Sequence, residues 1–426
     1  MQKFIIFFLF LTFLAHFPAE GCPEATDYAS FIAGTFKYGN PLIAQVKVLN
    51  FHPPLNILIL SFFTLIWNVL NGINNGYYMG IKLAIFFFYL LTIASYLKFG
   101  KGRNKNRELL ATEKLLVILT TFTLIVGSLN QSDINIFLFP FIISSIYVLF
   151  KKKYFWSGLL IGLSFSIKWQ SILLFPLYAV SIINFKTQFK EIIKNSFYFL
   201  WGFVPIVALF WILLLIQPGG LETIKVIING FYRVRGNYLS GNSLNLGWVI
   251  GYFVLPKSLQ INKSLASAGM TNFSIGANSV PYIFRGILFN IATVIITFRF
   301  WVSQKKNIVT FLSAAVMLYF SHQILGRGAQ ELHFIYIVFL MLFLYLVKPT
   351  ANNRLLLILF DIMAIINIIF FYCLTGYPCL NKKFIGGFDI TVILAIYYTI
   401  IFFWLFWRYL KEKPPFGKEK YISSRP

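Results

Sequence analysis

The sequence predicts an all-α fold, a polytopic transmembrane helical bundle of about twelve spans. Three observations predict it. Of 426 residues, 58% are apolar and only 12% are charged, against roughly 25% charged in an ordinary soluble protein. Apolar runs that approach the roughly 20 residues needed to cross a bilayer recur from end to end. The basic residues behind a formal net charge of +24 sit in short clusters between those runs. That is the pattern of cytoplasmic loops, not of a nucleic-acid-binding face, so no nucleic-acid partner is expected.

In chain order, the candidate spans are 4–17, 78–98, 115–129, 134–150, 154–169, 171–185, 196–216, 281–300, 308–325, 333–347, 355–373 and 389–408. Several hold about 15 residues, fewer than a straight span needs. Their ends are expected to be buried among neighbours, or two of them to be broken helices. Residues 54–70 are also apolar, and their placement decides the topology. If they cross, Lys101, Arg103, Lys105 and Arg107 face the outside. If they lie flat in the interface, the cytoplasmic segments are 1–3, 98–114, 151–153, 186–195, 299–308, 348–354 and 408–426, and these hold 24 of the 37 Lys and Arg residues. The excess of positive charge on one side favours the flat helix, with both termini cytoplasmic.

The expected organisation is one transmembrane domain over 1–410, with long non-cytoplasmic loops at 18–77 and 217–280 and a basic cytoplasmic tail over 411–426. The short apolar piece Leu246–Leu255 is expected as another interfacial helix. Met1–Gly21 reads either as a secretory signal, with Ala19 and Gly21 at the small positions of a cleavage site, or as an uncleaved first span. Three cysteines are too few for a cysteine metal centre.

Ionisable and amide residues outside the cytoplasmic loops are the informative ones in a chain this apolar. Asp27, followed by Tyr28, is placed to accept a proton from an acceptor hydroxyl; a helix N-cap is the alternative. Gln131, Asp133 and Asn135 lie in a polar outer turn that either binds sugar hydroxyls or caps the next helix. Lys168 stands outside any basic cluster at the outer end of a span. It suits a phosphate, or it snorkels to the interface. Arg233 and Arg235 suit phosphate oxygens, with anionic lipid headgroups as the other partner. Arg327, Glu331 and His333 form a further polar outer turn, and Asp361 falls inside a span.

The order of these elements resembles the GT-C superfamily of membrane glycosyltransferases, which take a sugar from a polyprenyl-phosphate donor. It is most similar to the dolichyl-phosphate-glucose glucosyltransferases and the bacterial polyprenol-phosphate mannosyltransferases. The resemblance runs over about residues 20–340 and rests on Asp27-Tyr28; His52-Pro53-Pro54-Leu55; Gln131 with Asn135; Lys168, Gln170 and Pro176; Arg235-Gly236 with Asn245 and Trp248; and Gln330-Glu331 with His333. His52 stands where those families have Tyr, and Gly247 departs from their aromatic.

The resemblance implies a GT-C-like bundle with an uncleaved first helix and interfacial helices in the first outer loop. It implies inverting transfer of a hexose, mannose or glucose, to a glycan, lipid or protein acceptor on the non-cytoplasmic face of a bacterial plasma membrane or the endoplasmic reticulum. Asp27 would be the base. Lys168, Arg233 and Arg235 would hold the donor phosphate. Tyr28, His52, Gln131, Asp133, Asn245, Trp248, Glu331 and His333 would contact sugar or acceptor, and membrane lipids would surround the bundle. No cofactor is expected, and no catalytic metal, because no Asp-x-Asp pair lies near Asp27. The alternative is a lipid or sugar transporter or flippase, since twelve spans with both ends inside is also a common transporter plan.

Overall fold

The computed structural model describes residues 23–48, 53–72, 77–99, 120, 134–183, 188–233, 238–241, 243–254, 272–274, 279–303, 306–326, 333–372, 384–385 and 388–411. They form helices joined by short connections. Two small antiparallel ladders are additions to the expected all-helical plan: β1 (Tyr238–Gly241) with β2 (Asn272–Ser274), and β3 (Phe384–Ile385) with β4 (Phe388–Asp389). Among the described residues seven helices are long and apolar enough to cross a membrane: Pro54–Asn71, Tyr77–Phe99, Phe189–Leu215, Val280–Trp301, Ile308–Leu325, Ala351–Phe370 and Ile390–Lys411. Four shorter apolar segments, Ile134–Phe150, Tyr154–Ile167, Trp169–Ile182 and Phe334–Val347, accompany them. The stretch that the charge count lays flat is therefore itself of spanning length. The candidate spans 4–17 and 115–129 and the tail from 412 onward lie outside the described residues, apart from Thr120.

The chain forms two compact units. The first contains α1 (Pro23–Tyr38), α2 (Pro41–Val48), α3 (Pro54–Asn71), α4 (Tyr77–Phe99), α5 (Phe139–Phe150), α6 (Tyr154–Ile167), α8 (Phe189–Leu215) and most of α9 (Gly220–Arg233). Proline opens α1, α2 and α3, where its missing N–H costs nothing. Asn40 caps α2, its Oδ1 accepting from Leu42 N at 2.8 Å. Gly72, in the left-handed region at φ 61°, ends α3.

Two of the short spans are broken, and the break follows proline. Ile134–Leu138 and Trp169–Leu174 are 3-10 turns, and α-helix resumes only at Phe139-Pro140 and at Phe175-Pro176, where α7 (Phe175–Ile182) begins. Proline cannot donate to the carbonyl four residues back and its ring crowds that carbonyl, so the preceding turn tightens.

Within this unit α6 and α8 approach at backbone contact. Gly158 faces the carbonyl of Phe199, and Gly202 faces the carbonyl of Phe155. With Gly162 they form the small-residue seam that lets helices pack closely in lipid. At Gly158 and Gly202 the obstructing atoms are backbone, so no side-chain rotation can relieve a larger residue there. Gly202→Leu is expected to destabilise the protein by about 3 kcal/mol or more, read as a lowered melting temperature in detergent. An unchanged melting curve would show that the seam is loose.

The second unit holds most of α7 with α10 (Leu246–Val254), α11 (Val280–Trp301), α12 (Ile308–Leu325), α13 (Phe334–Val347), α14 (Ala351–Tyr372) and α15 (Ile390–Lys411). α12 and α13 are buried on every side from Thr310 to Leu325 and from Phe334 to Leu346, which is where a helix apolar all round belongs. Phe320 centres this core, with Phe334, Phe360 and Phe402 at 5.1–6.0 Å between ring centroids. Asn307 starts α12 with a reciprocal cap: its Oδ1 accepts from Thr310 N, and Thr310 Oγ1 accepts from Asn307 N, each at 3.0 Å. Lys306 and Lys348 lie at that same end of the α12–α13 pair, and burial lowers the pKa of both ammonium groups.

Candidate functional site

In the first unit the residue that follows Lys168 packs where four helices meet. Leu42 of α2, Leu214 of α8 and Ile227 of α9 form a buried apolar cluster, and Leu58 of α3, Trp169, Trp211 and Leu213 of α8, and Ile224 of α9 pack on it. Trp169 and Trp211 stand 5.7 Å apart between ring centroids. Lys168 immediately precedes Trp169. It ends α6 in extended backbone, φ −156° and ψ 144°, while its N–H still donates to Ser164 O at 3.1 Å.

Lys168 is only 7% exposed. A snorkelling lysine projects its ammonium out of the fold, so burial argues against that alternative. The lysines that behave as a loop are Lys151, Lys152 and Lys153, exposed in the turn at the other end of α6. Around Lys168 in the chain, Ser164, Ser166, Gln170 and Ser171 are buried as well. Asn56, two residues from Leu58, is fully buried, and neither of its amide atoms has a hydrogen-bond partner among the described residues. The hydroxyls of Ser164, Ser166 and Ser171 are in the same condition. Leaving such a group unsatisfied costs about 1–3 kcal/mol, so this end of the unit offers a buried cation amid unused polar groups.

Asp27 and Tyr28 lie inside α1, four and five residues beyond Pro23. Asp27 is therefore not the N-cap of that helix, which removes the other alternative raised by the sequence. α1 is fastened by Thr35 Oγ1 to Ser61 Oγ of α3 at 3.0 Å and by Phe36 against Tyr77 of α4.

The second unit has its own polar end. The segment Ser243–Trp248, which runs into α10, is tied by three long-range bonds: Gln323 Nε2 donates to Ser243 Oγ at 2.5 Å, Leu244 N donates to Asn367 Oδ1 at 2.9 Å, and Trp248 Nε1 donates to Thr391 Oγ1 at 2.8 Å. Asn245 caps α10, accepting from Trp248 N at 3.1 Å. Asn245 and Trp248 are both buried. One residue from Gln323, His322 faces His333 at 5.4 Å between ring centroids, and both are buried. Arg285 of α11 is fully buried. Its Nη2 donates to Ile324 O at 3.1 Å and Gly326 O at 2.7 Å, a cation placed on the carbonyl end of α12. Asn245 with Trp248, and His333, which the sequence singles out in two separate elements, thus belong to one end of one unit.

His52, Gln131, Asp133, Arg235 and Glu331 lie outside the described residues, and Arg233 is described only as the last residue of α9. The structure also adds residues that sequence reasoning passed over. Lys82, in the second turn of α4, is fully buried. Like Arg285 it is an ionisable group within an apolar run, the same signal that picked out Lys168. Asn56, Gln323 and Asn367 carried no signal, because a single amide in an apolar run looks like any other interruption. Among the described residues no group of three or more His, Cys, Asp or Glu is placed to hold a metal ion. Comparison of the sequence with protein-family models and with curated proteins returns no match.

Proposed function

We propose that the chain is a GT-C-type inverting glycosyltransferase of about twelve spans that moves a hexose from a polyprenyl-phosphate donor to a membrane-proximal acceptor on the non-cytoplasmic face. The observation that carries the reading is the buried Lys168 at the end of the first unit where α2, α3, α8 and α9 converge. A buried cation in a stretch of chain with unused serine hydroxyls suits the charged headgroup of a lipid whose tail stays in the apolar surroundings. The segregation of basic residues supports assigning that end to the non-cytoplasmic side, with 54–70 lying along the surface and both termini inside.

In the proposed reaction the acceptor hydroxyl oxygen attacks the anomeric carbon as the Asp27 carboxylate takes its proton. The bond from that carbon to the phosphate oxygen breaks and the lipid phosphate departs with its electron pair. Charge grows on the leaving phosphate, so cations fixed beforehand do more than a proton donor: Lys168, Arg233 and Arg235 take that role. Tyr28, His52, Gln131, Asp133, Asn245, Trp248, Glu331 and His333 hold sugar and acceptor hydroxyls.

The test is transfer of labelled sugar from a set of polyprenyl-phosphate hexoses, using purified protein in lipid. Transfer from one of them supports the reading. Movement of labelled lipid or sugar across a vesicle without any transfer would instead establish a transporter or flippase. One observation favours that second reading: Asp361 lies midway along α14, where transporters carry their ionisable groups.

A further inference from the structure

The bonds that pin the Ser243–Trp248 segment leave two groups over. Asn245 and Asn367 are fully buried. In each, the carboxamide oxygen accepts from a backbone N–H, Asn245 from Trp248 and Asn367 from Leu244. A backbone N–H can only donate, so these partners identify the oxygen of each amide, and Nδ2 is the atom that remains. Neither Nδ2 has a hydrogen-bond partner among the described residues. The two amides are tied to one segment, Asn245 as its own residue and Asn367 through the adjacent Leu244 N. A third carboxamide, Gln323, holds that segment through Ser243. Buried polar groups are almost always paired, and here two neutral N–H₂ groups tied to one short segment have no acceptor among the described residues. The missing partner must carry acceptors and need carry no charge. Sugar hydroxyl and ring oxygens have that chemistry.

We propose that Asn245 and Asn367 form a neutral amide pair that binds sugar hydroxyls, with Gln323 as a positioning residue acting through Ser243. The proposal rests on the sugar-transfer reading and adds Asn367, a residue inside an apolar helix, to its binding surface.

Binding decides it. Affinities of the full-length protein in nanodiscs are measured for a short-chain polyprenyl-phosphate hexose and for the same lipid without sugar. Wild type is compared with Asn245→Ser and Asn367→Asp. Serine preserves the cap on Trp248 N, and aspartate preserves an acceptor for Leu244 N; both remove the N–H₂. Each variant is expected to bind the hexose lipid about tenfold more weakly and the sugar-free lipid as wild type does. A monodeoxy hexose lipid lacking the contacted hydroxyl should bind wild type about tenfold more weakly too, with no further loss in the variant.

Equal weakening for the sugar-free lipid overturns the proposal, because the amides are then structural. No weakening overturns it also, because water then satisfies them. If Asn367→Asp fails to fold, Asn245→Ser alone decides. Wild type that binds the hexose lipid with this discrimination but transfers nothing sinks the transferase reading and leaves the amide pair standing. Wild type that transfers while its variants bind normally does the reverse.

Discussion

Asp27→Asn is expected to lower sugar transfer by at least about 10²-fold, the low end of what a positioned general base contributes. Asparagine has nearly the same shape and retains a carbonyl acceptor, but it cannot take the proton of the attacking hydroxyl. The substitution is also expected to be structurally silent. Asp27 lies inside α1, and Asn40, Thr35 and Phe36 anchor that helix and the turn after it through contacts that do not involve residue 27. Donor affinity and melting temperature should therefore match wild type while turnover collapses. A variant that transfers at full rate would remove Asp27 as the base and leave the acceptor to be activated by another group.

The second large effect is expected at Lys168. Lys168→Met keeps most of the apolar stem and removes the charge. A charge-assisted hydrogen bond contributes about 1.5–3 kcal/mol, so donor affinity should fall about 10- to 100-fold. Unlike the amide variants, this one should weaken hexose-bearing and sugar-free lipid alike, because the charge meets the phosphate. Competition between labelled donor and sugar-free polyprenyl phosphate reads the difference directly. If Lys168→Met binds both lipids normally and only melts earlier, its ammonium serves the fold of the first unit rather than the phosphate.

Composition and the spacing of apolar runs made the helices legible. α12 begins and ends at residues 308 and 325, the bounds expected from hydrophobicity alone, because both ends carry polar punctuation: Asn307 at one and Gly326 at the other. That two short spans break was legible from their length; the breaks fall before Pro140 and Pro176 because proline constrains its own chain neighbours. The β1–β2 and β3–β4 ladders were not. Their strands have two to four residues, too few for an alternating pattern to register.

The candidate site divides along the same line. Lys168 stands out in sequence because an isolated cation beside an apolar run is rare, and Lys82 and Arg285 answer to the same rule. Whether such a lysine reaches outward or is enclosed depends on the tertiary packing around it, where the next residue, Trp169, meets Leu42, Leu214 and Ile227 from distant helices. Asn367 is the extreme case. Its meaning comes from a bond to Leu244, 123 residues away in the chain, and no local pattern encodes a partner at that distance. By itself, the sequence determined what depends on a residue and its near neighbours: an apolar helical chain, its punctuation, and the segregation of its charge. Only the tertiary structure decided which polar groups share one buried end and which of their atoms remain unused, because hydrogen bonds between helices are set by packing and not by sequence distance.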